Sequence, residues 1–150
     1  MKYGMWKGVF WILVYGFIFV NVFFANVVLH EFGHYLAADY YDLRPKIEFN
    51  FSEIGNLSFG LDGVALASIR FDLSDNRTDM IVVSLMGPFL NFVFGVIFLI
   101  VFVFCENIRI REIVFMGFVI SIGSFLVNMM PMEGVDGGLV FESVINLIND

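Results

Sequence analysis

Three long apolar segments, none of which carries a charge, constrain the fold of this chain more than any other feature of its sequence. They cover residues 9–29, 80–104 and 113–130 and contain no Asp, Glu, Lys or Arg. A helix needs about 20 apolar residues to cross a hydrocarbon core about 30 Å thick, and only helices or closed barrels satisfy every backbone group in lipid. We therefore predict three transmembrane helices, at about 9–41, 80–104 and 113–130.

The composition agrees with a membrane location and excludes other classes of protein. Apolar residues make up 59% of the chain and charged residues 15%, whereas soluble domains carry about 25% charged residues. The net charge is -7 and no basic cluster is present, which excludes nucleic acid as a partner because binding it depends on cationic side chains that replace counterions. We expect an integral, multi-pass protein of the cell membrane, with the lipid bilayer around it. Its first apolar segment should be retained rather than cleaved as a signal peptide.

Strict alternation of polar and apolar residues predicts strands between the first two membrane helices. Residues 46–52 and 56–62 alternate in this way, and a third candidate strand contains Ile69 and Phe71. A period of two is typical of strands with one buried face. We therefore predict a small, membrane-associated antiparallel β-sheet within a connector at about 46–72.

The segment after the third helix is rich in residues that interrupt helices. Pro131, Gly134 and Gly137 lie in it, so we expect an irregular turn there and a short terminal helix at about 139–148. The predicted fold class is an α-helical integral membrane protein with three core transmembrane helices and a small β-sheet between the first and the second. We expect a single domain over residues 1–150.

Both histidines of the chain lie in one short motif, HEFGH at residues 30–34. On a helix, His30 and His34 share one face with their Cβ atoms about 5–6 Å apart, so both imidazoles can reach one metal ion. Glu31 follows the first histidine and can act as a general base on a water molecule, which is the HExxH pattern of zinc enzymes. The alternative is a polar patch at the membrane interface, but ionisable groups at the edge of a membrane helix are functional candidates by default.

A catalytic zinc site needs three protein ligands and an open position for water, so a third ligand must come from elsewhere in the chain. No further histidine exists and there is only one cysteine, which leaves a carboxylate. Asp136 is the strongest candidate, because a segment broken by proline and glycine can aim a side chain into a cavity at membrane depth. The alternative for Asp136 is the N-cap of the terminal helix.

Three motifs in order resemble those of the site-2 proteases, a family of zinc metalloproteases that cut inside the membrane. HEFGH at residues 30–34 is similar to the family's HExGH, and GPFLN at 87–91 is similar to its GPxxN. NMMPMEGVDGG at 128–138 is similar to its NxxPxxPLDGG, with Gly134 in place of the second proline and Val135 in place of leucine. The resemblance spans essentially the whole chain.

The resemblance implies one zinc ion held by His30, His34 and Asp136, with Glu31 as the catalytic glutamate. It implies an intramembrane zinc metalloendopeptidase that hydrolyses peptide bonds in or near transmembrane segments of membrane-protein substrates. It also implies that the sheet helps to present substrate by strand addition, and that the catalytic motif lies toward the cytoplasmic side. Charge bias does not decide the orientation, because basic residues are equally numerous on the two predicted sides.

Two asparagines at membrane depth have two possible roles each. Asn91 lies in an otherwise apolar helix and could contact the oxyanion or the substrate, or it could form an interhelical hydrogen bond. Asn128 has the same alternatives. For the whole protein, the alternative to a protease is a catalytically inactive zinc-binding membrane relative that binds a partner protein. Glu31 favours the protease, because a structural metal site needs no general base.

Overall fold

The computed structural model of the chain describes residues 2–49, 67–70 and 77–149. Four helices and two short strands occur in these ranges, in the order α1 (Lys2–Tyr40), β1 (Lys46–Phe49), β2 (Ala67–Arg70), α2 (Arg77–Phe104), α3 (Ile108–Asn128) and α4 (Asp136–Asn149). Helix α2 lies at the centre and packs against α1, α3 and α4.

Three of these helices are long and apolar enough to cross a membrane, which confirms the prediction of three transmembrane helices. They are Gly8–Tyr40 within α1, Arg77–Phe104 and Ile108–Asn128. Large apolar side chains along them, such as Phe17, Ile97 and Phe115, are exposed on the outside of the bundle. The interior instead contains small and polar residues, so the distribution is the reverse of that in a soluble protein.

All four helices begin earlier than the apolar pattern predicts, and at α3 local chemistry rather than hydropathy sets the start. Helix α3 begins at Ile108, where the side chain of Asn107 accepts hydrogen bonds from the amides of Arg109 and Ile110. An asparagine N-cap of this kind satisfies amides that the helix itself leaves without partners. Helix α4 begins at Asp136, before the position expected from its apolar residues.

Between α1 and α2 the described residues form a two-stranded antiparallel ribbon. β1 pairs with β2 in a register that sets Lys46 opposite Arg70 and Phe49 opposite Ala67. The candidate strand at 56–62 lies outside the described residues, so a sheet larger than this ribbon is not supported by them. The contact of the ribbon with the membrane stays a prediction.

Helix α1 ends in a tight turn just before β1. The amide of Leu43 donates to the carbonyl of Ala38 at 2.9 Å, and Asp42 and Arg44 have positive φ angles of 57° and 49°. Leu43 then packs with Ala37, Ala38 and Val83 in a small apolar core. This core fixes the carboxyl-terminal half of α1 against α2, next to the histidines.

Candidate metal centre

Helix α1 brings His30 and His34 together on one buried face. The two residues are 8% and 7% exposed, and their ring planes stand at 83° to each other. Because they are one helical turn apart, their side chains converge, and the two Nε2 atoms lie 3.1 Å from each other. The HExxH pattern therefore produces the geometry that its spacing predicts.

Helix α4 brings Asp136 to the same point from the other end of the chain. Its Oδ2 lies 3.0 Å from Nε2 of His30, and its Oδ1 lies 3.2 Å from Nε2 of His34. One ligand atom from each of the three residues lies within 4.8 Å of the other two, so together they could hold a metal ion. The carbonyl of Val135 accepts from the amides of Gly138 and Leu139, so Val135 rather than Asp136 occupies the N-cap position.

Two glycines allow α4 to carry Asp136 this close. A Cβ atom on Gly137 would lie 2.5 Å from the carbonyl carbon of Met129, and one on Gly138 would lie 2.0 Å from the carbonyl oxygen of Met132. The first turn of α4 therefore packs directly on the backbone that follows α3. At the other end of α4, Arg77 donates to the carbonyl of Asn146 at 2.8 Å, which ties the helix to the start of α2.

The turn before Asp136 departs from the resemblance at Gly134. This glycine has a φ angle of +82°, whereas the ring of a proline holds φ near about −65°. A proline therefore could not replace Gly134 without changing the backbone conformation. With this backbone conformation at Gly134, Asp136 reaches both histidines.

A second pair of glycines sets the distance between α1 and α2. A Cβ atom on Gly33 would lie 2.3 Å from the carbonyl oxygen of Met86, and one on Gly87 would lie 2.3 Å from Nε2 of His34. Neither position has space for a larger residue. These glycines belong to the first and second motifs, and their role is to let the His34 ring lie against the backbone of α2.

A backbone carbonyl fixes the orientation of the His34 ring. Its Nδ1 lies 2.7 Å from the carbonyl oxygen of Val83. That oxygen can only accept, so Nδ1 carries the proton and the neutral ring presents an unprotonated Nε2. Histidines that bind metals usually donate their other ring N–H in this way.

The donor atoms at the centre fit a small cation. The separations of 3.0–3.2 Å among the two Nε2 atoms and the carboxylate are close to the edge of about 3.4 Å expected for a tetrahedron with bonds of about 2.0–2.1 Å, the zinc–nitrogen length. Two N–H groups directed at each other across 3.1 Å would repel, so the two Nε2 atoms cannot both carry protons. A cation at this point would pair with the electron pairs that converge in this buried space.

The carboxyl group of Asp136 is ready to bind a cation at neutral pH. Its burial would raise the pKa, but the neighbouring imidazoles of His30 and His34 outweigh that effect and lower the pKa to about 2. The group is therefore ionised, which a metal ligand must be.

The other predicted site residues differ in burial and in the groups that they contact. Glu31 is partly buried and lies within electrostatic reach of the His34 ring. Asn91 is fully buried and contacts Nδ1 of His30 at 3.0 Å, which favours the interhelical hydrogen bond over the oxyanion role. Asn128 donates to the carbonyl of Ser124 at 3.0 Å.

Two functional groups were missed by sequence reasoning. The carbonyl of Val83 leaves no trace in a sequence, because every residue has one. Ser124 contacts Asn91 at 2.9 Å and could have been noticed as a polar position in an apolar helix, as Asn91 was.

Comparison with known proteins identifies the family of the chain. Residues 18–108 match the model of Peptidase family M50, a range that includes the HEFGH and GPFLN motifs and ends before Asp136. No curated protein and no solved structure gave a significant match. The resemblance to site-2 proteases is thereby confirmed, and with three helices able to span a membrane the chain is a multi-pass membrane protein that belongs to peptidase family M50, the site-2 protease family.

Proposed function

We propose that this protein is an intramembrane zinc metalloendopeptidase that cleaves peptide bonds in or near transmembrane segments of membrane proteins. The observation that carries the proposal is the meeting of the His30 and His34 ligand atoms, on the membrane-spanning helix α1, with that of Asp136 on α4. One carboxylate and two imidazoles form a ligand set of the catalytic zinc type, which leaves a position for water.

Each residue of the motif has a definite task in this proposal. A bound zinc ion supplies a Lewis acid that acidifies water and polarises the scissile carbonyl. Glu31 accepts the proton of the attacking water and returns it to the leaving nitrogen. The two imidazoles and the Asp136 carboxylate hold their donor atoms in place without rearrangement. Asn128, which is partly exposed at the end of α3, is the residue we propose for contact with the substrate.

The substrate would be a membrane-spanning helix that unwinds locally, because a helical peptide hides its carbonyls in internal hydrogen bonds. The β1–β2 ribbon follows directly from the end of α1 that carries the histidines. We propose that it receives the unwound segment as an added strand. We also propose that this end of the bundle faces the cytoplasm, which labelling of Asp42→Cys from either side of the membrane would test.

The decisive experiment measures zinc content and cleavage together. The purified protein, loaded with zinc in lipid nanodiscs, is incubated with single-span membrane proteins, and the products are identified by mass spectrometry. Glu31→Ala should keep about one zinc per chain and lose about 10²–10⁴-fold in cleavage rate, the usual contribution of a general base. The matched control is Glu112→Ala, which removes a carboxylate from the opposite end of the bundle and should cleave at the parent rate.

Two results would count against the proposal. Cleavage by Glu31→Ala at the parent rate would exclude the assigned mechanism. A parent protein that binds zinc and cleaves none of the substrates would favour an inactive zinc-binding relative that holds a partner protein.

A further inference from the structure

Asn91 is the most deeply buried polar side chain near the metal centre. It lies in α2 with 0% of its surface exposed. A buried amide without hydrogen bonds is costly because it loses its water on burial, so its partners indicate its purpose. These partners are Nδ1 of His30 at 3.0 Å and Oγ of Ser124 at 2.9 Å.

Both partners lie on one side of the amide. The group directed at them is Nδ2, while Oδ1 has no hydrogen-bond partner among the described residues. With Nδ2 as donor, Nδ1 of His30 must accept, and the neutral His30 ring then carries its proton on Nε2. That proton would lie where the metal ligand atoms converge.

A half-turn of the amide exchanges its oxygen and nitrogen and leaves every other atom in place. Oδ1 then faces both groups, and each can donate to it: His30 through Nδ1–H and Ser124 through its hydroxyl. A carbonyl oxygen has two lone pairs and can accept both bonds. His30 then presents an unprotonated Nε2, which is the tautomer that the Val83 carbonyl imposes on His34.

We propose that Asn91 is a positioning residue that, through its amide oxygen, holds the His30 proton on Nδ1 and so commits Nε2 to the metal, with Ser124 anchoring the amide from α3. The inference rests on the proposed zinc site and assigns a function to the asparagine of the second motif. The amide acts on the ring atom away from the metal position, so it does not contact the reacting groups. Its effect is on the orientation and basicity of a ligand.

The structure offers a matched control in a second buried asparagine. Asn26 is 4% exposed and accepts a hydrogen bond from the hydroxyl of Ser121 at 2.9 Å. It therefore resembles Asn91 in burial and in its bond to a serine of α3. It lies one turn before His30 on α1, and its one described hydrogen bond is the one to Ser121. Asn26→Leu removes an interhelical bond of the same kind and leaves the hydrogen bonds of both histidines in place.

The test measures zinc affinity by competition with a chromophoric chelator in purified, detergent-solubilised protein. We expect Asn91→Leu to lower the affinity about 10–100-fold, the usual cost of losing an outer-shell partner of a ligand. Asn91→Asp keeps an acceptor oxygen but has no N–H. If the amide oxygen accepts from His30, the zinc affinity of Asn91→Asp should stay within about threefold of that of the parent. If Nδ2 donates instead, Asn91→Asp should bind zinc as weakly as Asn91→Leu. Asn26→Leu should bind zinc like the parent.

Histidine tautomers give a second readout that a purely structural role would not change. The chain has only two histidines, so ¹⁵N-histidine labelling resolves the ring nitrogens of His30 and His34 separately. With zinc bound, Asn91→Leu should shift the Nδ1–H signal of His30 and leave that of His34 unchanged. Ser124→Ala, a milder change, should shift the same signal in the same direction with a smaller loss of affinity.

The outcomes separate this inference from the proposed function. Equal zinc affinity in Asn91→Leu and the parent, or an Asn91→Asp variant as weak as Asn91→Leu, would overturn the role of the amide oxygen. So would loss of zinc in Asn26→Leu to the same extent as in Asn91→Leu. A parent protein that binds no zinc would instead overturn the proposed metal centre itself.

Discussion

The two ends of the helical bundle are held together by different kinds of contact. At the histidine end, His30, His34 and Asp136 are joined by buried polar contacts, and the helices approach within backbone distance. At the opposite end, the Arg109 guanidinium lies 4.4 Å above the Trp11 ring, and the Tyr15 hydroxyl donates to Glu112 at an exposed position.

The difference between the two ends indicates where substitutions should disturb the protein most. Exposed polar pairs and cation–π contacts contribute little and can rearrange. Buried polar groups must keep their partners, because each loses its water on burial. The histidine end is therefore the region where substitutions should affect chemistry, and the opposite end is where they should affect stability slightly or not at all.

The largest effect is expected from Asp136→Ala, which removes a ligand from the histidine end. Loss of an outer-shell partner of a ligand lowers metal affinity about 10–100-fold. Loss of the ligand Asp136 itself should lower the zinc affinity by more than this. Chelator competition measures it. Glu133→Ala, which removes an exposed carboxylate from the same turn, is the matched control and should bind zinc normally. Unchanged zinc affinity in Asp136→Ala would remove this residue from the ligand set.

A smaller effect is expected from Gly87→Ala, which tests the close approach of α1 and α2. The added methyl group would lie 2.3 Å from Nε2 of His34, so the ring must move away from its ligand position. We expect a loss of about 1–3 kcal/mol in stability from overpacking, together with weaker zinc binding. Gly16→Ala, where nothing lies within 4 Å of the new atom, should change neither thermal stability nor zinc content. Equal behaviour of the two variants would refute the argument from close approach.

The smallest effect is expected at the opposite end, from Arg109→Ala. Loss of the contact with Trp11 should cost about 0.5–1 kcal/mol, as at other exposed cation–π pairs, and zinc affinity should not change. Thermal unfolding and chelator competition on the same sample measure both quantities. A fall in zinc affinity would mean that the two ends are coupled, contrary to the comparison.

Features that depend on local pattern could be predicted from the sequence. Hydropathy over one segment is enough to identify a membrane helix, and the four-residue spacing of His30 and His34 is enough to place both rings on one face. The early start of α3 could not be read from hydropathy, because the Asn107 cap and contacts of Arg109 and Arg111 with aromatic rings extend the helix past its apolar segment.

Contacts between helices were harder to predict, since they depend on how each helix is rotated toward its neighbours. Asp136 could be proposed as a ligand by elimination and by resemblance. The contact of Asn91 with Nδ1 of His30 could not, because sequence spacing does not determine which ring atom an interhelical partner meets. The same holds for Ser124 and for the Val83 carbonyl.

The ligands of the centre come from the first and the last helix of the described chain, and this has a consequence for biogenesis. A ribosome adds about 5–20 residues per second, so HEFGH enters the membrane several seconds before Asp136 has been made. During that interval the two histidines lack their acidic partner. Under the proposed function, a nascent chain cannot become proteolytic before α4 has been synthesised with Asp136 in it, so the order of translation keeps the half-made protein inactive toward other membrane proteins.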